Sequence, residues 1–183
     1  MSGASANPAH SNDAEAAPPG ARLRAVQPPD PRVALGMAVN YLMTDPVFAR
    51  LPFGQWSRVL VGQVNRGHFL FVLDGEKVVG FVGWALADKE RAEAWLARNH
   101  DFGSDDSRRG EVALLNVWKA AGPAVNRFMV AALRPHLRGQ SLVYAKRFYA
   151  GGRVRPVRRR INDTGVSRAA GNSRGGAGPR EAR

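Results

Sequence analysis

Apolar residues along this chain follow two alternating patterns. Around residues 33–42 and again around 56–64 they recur every three or four positions, which is typical of helices with one buried side. After these two segments come two almost continuous apolar runs, 68–73 and 77–85, which flank Asp74-Gly75. This pattern predicts a β-hairpin around an Asp-Gly turn. Because both arms are apolar throughout, we expect a sheet that is covered on both faces.

The second half of the chain repeats the alternation of helix and strand. Residues 88–99 have a helical pattern, 112–118 a strand pattern, and Gly122-Pro123 opens a helix that continues to Leu137. A further strand is predicted over 141–148. The predicted order is ααββαβαβ, which indicates an α/β (α+β) fold with helices packed on one sheet.

Both ends of the chain lack the apolar residues that a folded core needs. Ordering a residue costs roughly 1–2 kcal/mol of backbone entropy, which little buried surface offsets here. We therefore predict a disordered N-terminal tail over 1–30, a single domain over 31–153 and a disordered Arg-rich C-terminal tail over 154–183. About 120 residues are enough for one hydrophobic core.

The net charge of +12 is concentrated near the C-terminus. Residues 153–183 contain nine arginines against Asp163 and Glu181, so we interpret the excess as mainly a property of the tail. Such a tail attracts nucleic acid, anionic lipid or an acidic protein. The domain shows no interleaved aromatic and basic pattern, so nucleic acid is the least favoured of these partners.

Several classes of chemistry are excluded by composition. The chain has no cysteine, which rules out disulfides, thiolate nucleophiles and cysteine-based metal sites, and we predict no metal centre. No zinc-protease, nucleophile-elbow or phosphate-loop motif occurs. The apolar runs are shorter than the ~18–20 residues of a membrane span, and no signal peptide is recognisable. We therefore expect a cytoplasmic location.

Candidate chemistry centres on the connection from residue 118 to residue 125. Gly122 precedes a helix whose first N–H groups are unpaired, which suits an anion such as a phosphopantetheine phosphate, although any strand joins any helix in this way. Trp118 is placed to line an acyl pocket beside it. His68 starts the hairpin; a structural role is the simpler interpretation of this histidine.

Four segments resemble the RTX toxin-activating lysine acyltransferases. They are Tyr41-Leu-Met-Thr-Asp-Pro46, Gly80-Phe-Val-Gly-Trp-Ala85, Leu114-Leu-Asn-Val-Trp118 and Phe148-Tyr-Ala-Gly-Gly-Arg153. The resemblance extends from about Val33 to Gly152. It implies a fold similar to the GCN5-type N-acetyltransferases, with a fatty acyl group moving from acyl carrier protein to lysines of a protoxin. It further implies no permanently bound cofactor, acyl-acyl carrier protein as donor and a lysine-bearing acceptor protein; family members are often homodimers.

Two positions depart from the family's catalytic pattern. Phe48 stands where the family has a histidine, and Asn116 stands where it has an aspartate. Phenylalanine cannot accept a proton, and the loss of a general base typically costs about 10²–10⁴ in rate. His68 and Asp45 are candidate substitutes for the base. The residues expected to hold the acyl donor are Gly122 and Trp118, with Arg50, Lys119, Arg147 and Arg153 as basic docking residues.

Three hypotheses remain open at this point. The first is a protein-lysine fatty acyltransferase with altered catalytic groups. The second is a catalytically inactive relative, a pseudoenzyme that acts as a protein-binding adaptor or chaperone. The third is a polyanion or nucleic-acid binder that acts through the Arg-rich tail.

Overall fold

The computed structural model describes residues 23–98, 107–148 and 153–161. The strands are β1 (Leu23–Val26), β2 (Phe69–Asp74), β3 (Lys77–Ala87), β4 (Val112–Ala120), β5 (Leu142–Phe148) and β6 (Val154–Arg160). The helices are α1 (Pro31–Met43), α2 (Pro46–Ala49), α3 (Phe53–Arg66), α4 (Lys89–Arg98) and α5 (Pro123–Leu133), and a 3₁₀ turn (Arg134–Leu137) follows α5.

The six strands form one sheet in the order β1-β2-β3-β4-β5-β6. Neighbouring strands are antiparallel except β4 and β5, which are parallel. The helix α5 makes the connection between these two parallel strands. The predicted class, a mixed α/β domain with helices packed on one sheet, is confirmed.

Helices cover both faces of this sheet, as the apolar hairpin arms predict. The α1–α3 face, named for the helices that cover most of it, holds a cluster that includes Ala38, Leu60 and Phe81. The opposite α5 face holds a cluster that includes Val82 and Met129. Phe81 and Val82 are adjacent in β3 and fully buried on opposite sides, because side chains alternate along a strand. The helix α4 lies over the far end of the α1–α3 face, beside β5.

Cap and turn residues have the geometry that their residue types favour at three positions. The Asp30 carboxylate accepts a hydrogen bond from Arg32 N at 2.8 Å and caps α1. Gly67 ends α3 in the left-handed conformation, with φ 68°. Gly75 adopts φ 59° in the two-residue turn of the hairpin.

The folded region is wider than the predicted limits of 31 and 153. Strand β1 pairs with β2 before the first helix, and β6 pairs with β5 beyond residue 153. Both are edge strands, which are held by backbone pairing on one side and bury few apolar side chains, so neither has a strong hydrophobic pattern. The arginines between 153 and 160 therefore belong to the sheet and not to a tail. The remaining tail residues, 1–22 and 162–183, lie outside the described residues.

Strand β6 is fastened to α4 by one acidic residue. The Glu93 carboxylate accepts hydrogen bonds from Tyr144 Oη at 2.7 Å and from Arg158 Nε at 2.9 Å. The hydrogen bonds from Arg158 and then Tyr144 lower the pKa of Glu93 to about 2. This contact explains how a strand with four arginines is held at the edge of the sheet.

A short helix, α2, lies between α1 and α3. The Asp45 carboxylate accepts a hydrogen bond from Val47 N at 2.9 Å, so Asp45-Pro46 starts a helix just as Asp30-Pro31 does.

Within the described ranges, no helix has both the length and the hydropathy of a membrane span.

Candidate functional site

The parallel strands β4 and β5 separate part of the way along their length. Their paired positions run from Val112–Leu142 to Leu115–Ala145. Beyond these, β4 continues to Ala120 and β5 to Phe148. The strands therefore open toward their C-terminal ends, and unpaired backbone N–H and C=O groups border the opening. We call this feature the β4–β5 opening.

The N-terminus of α5 follows directly after the end of β4. Gly122 is the N-cap residue; its backbone is extended, with φ 178°, and no side chain caps the helix. Asn126 N bonds to Gly122 O at 2.9 Å, and Pro123 has no N–H. The first-turn N–H groups of Ala124 and Val125 have no acceptor within the helix. The helix therefore presents donors and the positive end of its dipole beside the β4–β5 opening, which is the arrangement predicted for an anion site.

Trp118 connects the end of β4 to this helix. Its Nε1 donates a hydrogen bond to Asn126 Oδ1 at 2.8 Å, and its ring packs against the cluster on the α5 face. Trp118 thus lies next to the first turn of α5, at the place where the sequence predicts a pocket-lining residue.

A β-bulge determines where the side chain of Asn116 lies. Gly83 pairs with Val117, and the next residue of β3, Trp84, pairs with Leu115. Asn116 is the extra residue of β4, and the bulge turns both it and Val117 to the α1–α3 face. Asn116 lies immediately after the last β4–β5 pair, so its exposed side chain stands at the beginning of the β4–β5 opening.

The partner of Asn116 is a buried glutamine. Gln63 of α3 is 0 % exposed, and its Nε2 donates a hydrogen bond to Asn116 Oδ1. Its Oε1 is buried and has no hydrogen-bond partner among the described residues. The carboxamide fits because Gly83 has no side chain; a Cβ at Gly83 would overlap the Gln63 amide. The close approach at Gly83 is therefore made by the Gln63 side chain.

Phe48 and Asn116 lie on the same face of the sheet. Phe48 is half-buried in α2 and packs against the cluster on the α1–α3 face. The helix α5 packs on the opposite face. Neither Phe48 nor the Gln63–Asn116 amide pair can accept a proton from an amine.

His68 lies on the other face, away from the Asn116 side chain. Its ring stacks on Trp84 at 5.7 Å between centroids, and Trp84 belongs to the cluster on the α5 face. Burial and then the charges of Arg66 and Arg108 lower the pKa of His68 to about 4. His68 is therefore neutral at physiological pH, and within the described part of the chain its buried Nδ1 has no hydrogen-bond partner. The structure does not bring this histidine together with Asn116.

Lys119, one of the predicted docking residues, binds the end of α1. Its Nζ donates hydrogen bonds to Tyr41 O at 2.9 Å and Thr44 Oγ1 at 2.5 Å, and it lies 4.6 Å from the centroid of the Tyr41 ring. The Tyr41 hydroxyl donates to Val79 O at 2.6 Å, and burial, with a smaller effect of Asp45, raises the pKa of Tyr41 to about 12. This network joins α1 to the sheet and gives Lys119 a structural role.

The other predicted docking residues are divided between different parts of the fold. Arg50 is exposed at the end of α2, Arg147 is exposed on β5, and Arg153 precedes β6. Gln63 is the site residue that sequence reasoning missed. Its signal was a carboxamide within the apolar side of a helix, between Leu60 and Val64.

Comparison with known proteins identifies the fold. No family model and no curated protein sequence matches this chain. Its structure is similar to the apo form of a mutant agmatine N-acetyltransferase, with a TM-score of 0.50, 16% identity and coverage of 70% of this chain and 77% of that one. It is also similar to the Drosophila melanogaster polyamine N-acetyltransferase, with a TM-score of 0.49, 16% identity and the same coverages. The GphF GNAT-like decarboxylase in complex with isobutyryl-CoA gives a TM-score of 0.44, 19% identity and coverage of 70% and 67%.

The likeness to the agmatine N-acetyltransferase, at a TM-score of 0.50, establishes an N-acetyltransferase-like fold and confirms the predicted fold class. It does not extend to the RTX toxin-activating family, so that resemblance stays a prediction.

Proposed function

We propose that this protein transfers an acyl group from the phosphopantetheine thioester of an acyl carrier protein to the side-chain amine of a lysine on a partner protein. The observation that supports this function best is the β4–β5 opening, which adjoins the uncapped N-terminus of α5. The GNAT-like fold supports acyl transfer in general. The carrier protein and the lysine acceptor come from the sequence resemblance.

The phosphopantetheine arm of the donor carries polar amides and a charged phosphate, and the protein has groups that can bind both. The N–H groups of Ala124 and Val125 would hold the phosphate at the positive end of the α5 dipole. The amides of the pantetheine arm would pair with the free backbone groups of β4 after Leu115. The thioester would then lie near Asn116, at the start of the β4–β5 opening.

Asn116 is the group best placed to assist the reaction. Since its oxygen accepts from Gln63, the amide nitrogen is the part that can donate to a ligand. The lysine nitrogen forms a bond to the thioester carbonyl carbon, and the Asn116 amide stabilises the charge that develops on the carbonyl oxygen. The carbon–sulfur bond then breaks, the thiolate leaves on phosphopantetheine, and the proton released by the amine goes to water.

This mechanism has no protein base. The scaffold contributes mainly orientation, and the fraction of unprotonated lysine, whose unperturbed pKa is ~10.4, sets the rate. We therefore expect transfer to rise steadily between about pH 6 and pH 9, with no inflection near the histidine range of about 6.5.

The direct test uses acyl carrier protein loaded with acyl chains of several lengths and a lysine-containing peptide. Mass spectrometry of both proteins and of the peptide follows the transfer. The expected result is acylated peptide and released carrier thiol, with a yield that grows with pH. An absence of transfer at every chain length and pH, while the carrier still binds, would favour the inactive relative.

That second candidate function, a non-catalytic adaptor or chaperone, has one specific observation in its favour. Phe48 packs into the α1–α3 cluster and Asn116 pairs with an amide, so neither position retains a titratable group. Binding of the acyl carrier without turnover distinguishes it from the transferase.

A further inference from the structure

Eleven of the twelve net positive charges of this protein fall within one segment of the chain. Residues 112–162 contain no Asp or Glu, and they contain eleven Lys and Arg residues. This segment forms β4, α5, β5 and β6. The basic residues are Lys119, Arg127, Arg134, Arg138, Lys146, Arg147, Arg153, Arg155, Arg158, Arg159 and Arg160.

Part of this charge lies on a sheet surface that no described helix crosses. The helix α5 packs mainly over β1 to β4, on the face that we named after it. On β5 and β6 the same face is identified by Val143 and Ile161, which pack against the α5 cluster. We call the part of this face that β5 and β6 form the β5–β6 basic face.

The register of β5 and β6 gives the composition of the β5–β6 basic face. Val143 is opposite Arg159, Ala145 is opposite Val157, and Arg147 is opposite Arg155. Directly opposed residues of an antiparallel pair share a face, so these six side chains form one surface. Its floor, Val143, Ala145 and Val157, is partly exposed and apolar, while the arginines are exposed.

The arrangement of charge on this surface favours an acidic partner. Arg155 and Arg159 are both exposed, and their positive charges attract an anionic surface. On the other side of β6, Arg158 binds an anion of this kind, the Glu93 carboxylate. A second copy of the chain would bring arginine against arginine, and the apolar floor offers no aromatic ring on which a nucleic-acid base could stack.

We propose that the β5–β6 basic face docks an acidic amphipathic helix of the acyl carrier protein; this inference rests on the proposed function and adds the surface that recognises its donor. An apolar stripe between acidic residues on such a helix matches an apolar floor between arginines. The position is suitable, because Ala145 belongs to the last pair before the β4–β5 opening. A carrier docked here has its phosphopantetheine arm beside the opening and the first turn of α5.

The test compares two donors with the full chain, acyl-acyl carrier protein and acyl-pantetheine, which has no protein part. The double variant Arg155→Glu/Arg159→Glu reverses the charge of the docking surface. The control variant Arg160→Glu makes the same change on the same strand, on the opposite face of the sheet. Arg155→Gln/Arg159→Gln removes charge without reversing it and replaces the Glu variant if that one fails to fold.

We expect the double variant to raise KM for the acyl carrier by roughly tenfold or more at low salt, with kcat unchanged. The kinetics with acyl-pantetheine should be unchanged, and Arg160→Glu should resemble the wild type with both donors. Added salt should weaken carrier recognition by the wild type more than by the double variant. Equal effects on both donors, or no effect on either, would overturn the docking surface.

Failure of the proposed function would be distinguishable from failure of this inference. If the wild type transfers from neither donor, calorimetric binding of the unloaded carrier still tests the surface; loss of binding in the double variant alone supports it. If the two substitutions leave carrier binding intact and instead abolish binding of single-stranded RNA, the partner class is wrong.

Discussion

The carboxamide of Gln63 lies directly over the α-carbon of Gly83, where a side chain at position 83 would displace it. This contact allows a helix residue to cross above the central strand and hydrogen-bond to Asn116 on the next strand. The orientation of Asn116, at the start of the β4–β5 opening, therefore depends on a glycine.

Gly83→Ala should destabilise the protein. The new methyl group meets a fully buried carboxamide with no room to move, and overpacking of this kind costs about 1–3 kcal/mol. Urea denaturation measures the free energy of unfolding. Gly36→Ala in α1 is the matched control, since a Cβ at Gly36 meets nothing within 4 Å and should leave stability equal or higher. An equal loss in both variants would contradict the role of the Gln63 contact.

Gln63→Leu should distinguish a functional role of the Gln63–Asn116 hydrogen bond from a structural one. It removes a buried oxygen that has no partner, so we expect the free energy of unfolding to stay within about 1 kcal/mol of the wild type. Acyl transfer should fall, because Asn116 loses the group that orients it. A strong loss of stability with normal transfer per folded molecule would mean that the amide pair is purely structural.

Phe48→His combined with Asn116→Asp should introduce a general base. The two positions share the α1–α3 face, and a histidine oriented by an aspartate typically contributes about 10²–10⁴ in rate. The pH–rate profile should gain an inflection near the histidine pKa, which the wild type lacks. If the double variant has the wild-type rate and profile, the side chains at 48 and 116 do not act on the same substrate.

The half-buried His68 should make the protein sensitive to acid. Its folded pKa of about 4 lies below the ordinary histidine value of 6.5, so between these values the unfolded chain binds a proton that the folded protein does not. The free energy of unfolding should therefore decrease as pH falls from 6.5 to 4. Urea titrations across this window should show a shallower decrease for His68→Phe than for the wild type. Identical slopes in the two proteins would exclude His68 as the cause.

Patterns of apolar residues predicted the elements that bury large side chains. The β2–β3 hairpin, the helices on both faces and the glycine that ends α3 follow from local sequence. The edge strand β6 did not, because an Arg-rich strand is stabilised by pairing with β5 and by Glu93, which is 65 residues from Arg158 in sequence. Because the arginines of β6 were interpreted as part of a tail, their positive charge was assigned to the tail and not to the sheet.

The geometry of the site depended on contacts between distant residues. The β-bulge at Asn116 arises from the register of β3 against β4, and local pattern does not determine register of that kind. Gly122 was predictable as a helix start because its signal is local. Its position beside the opening required the separation of β4 from β5, which only the assembled sheet shows.

The most direct measurement of the central claim, that the opening and the first turn of α5 bind an acyl-phosphopantetheine donor, uses Gly122. Asp at this position suits the extended backbone and caps the helix, but it occupies the donors and repels a phosphate. Gly122→Ala adds neither charge nor acceptor. Acyl transfer from the carrier should fall about tenfold or more in Gly122→Asp, with stability maintained or increased, and should persist in Gly122→Ala. Full transfer by a stable, folded Gly122→Asp protein would contradict the claim.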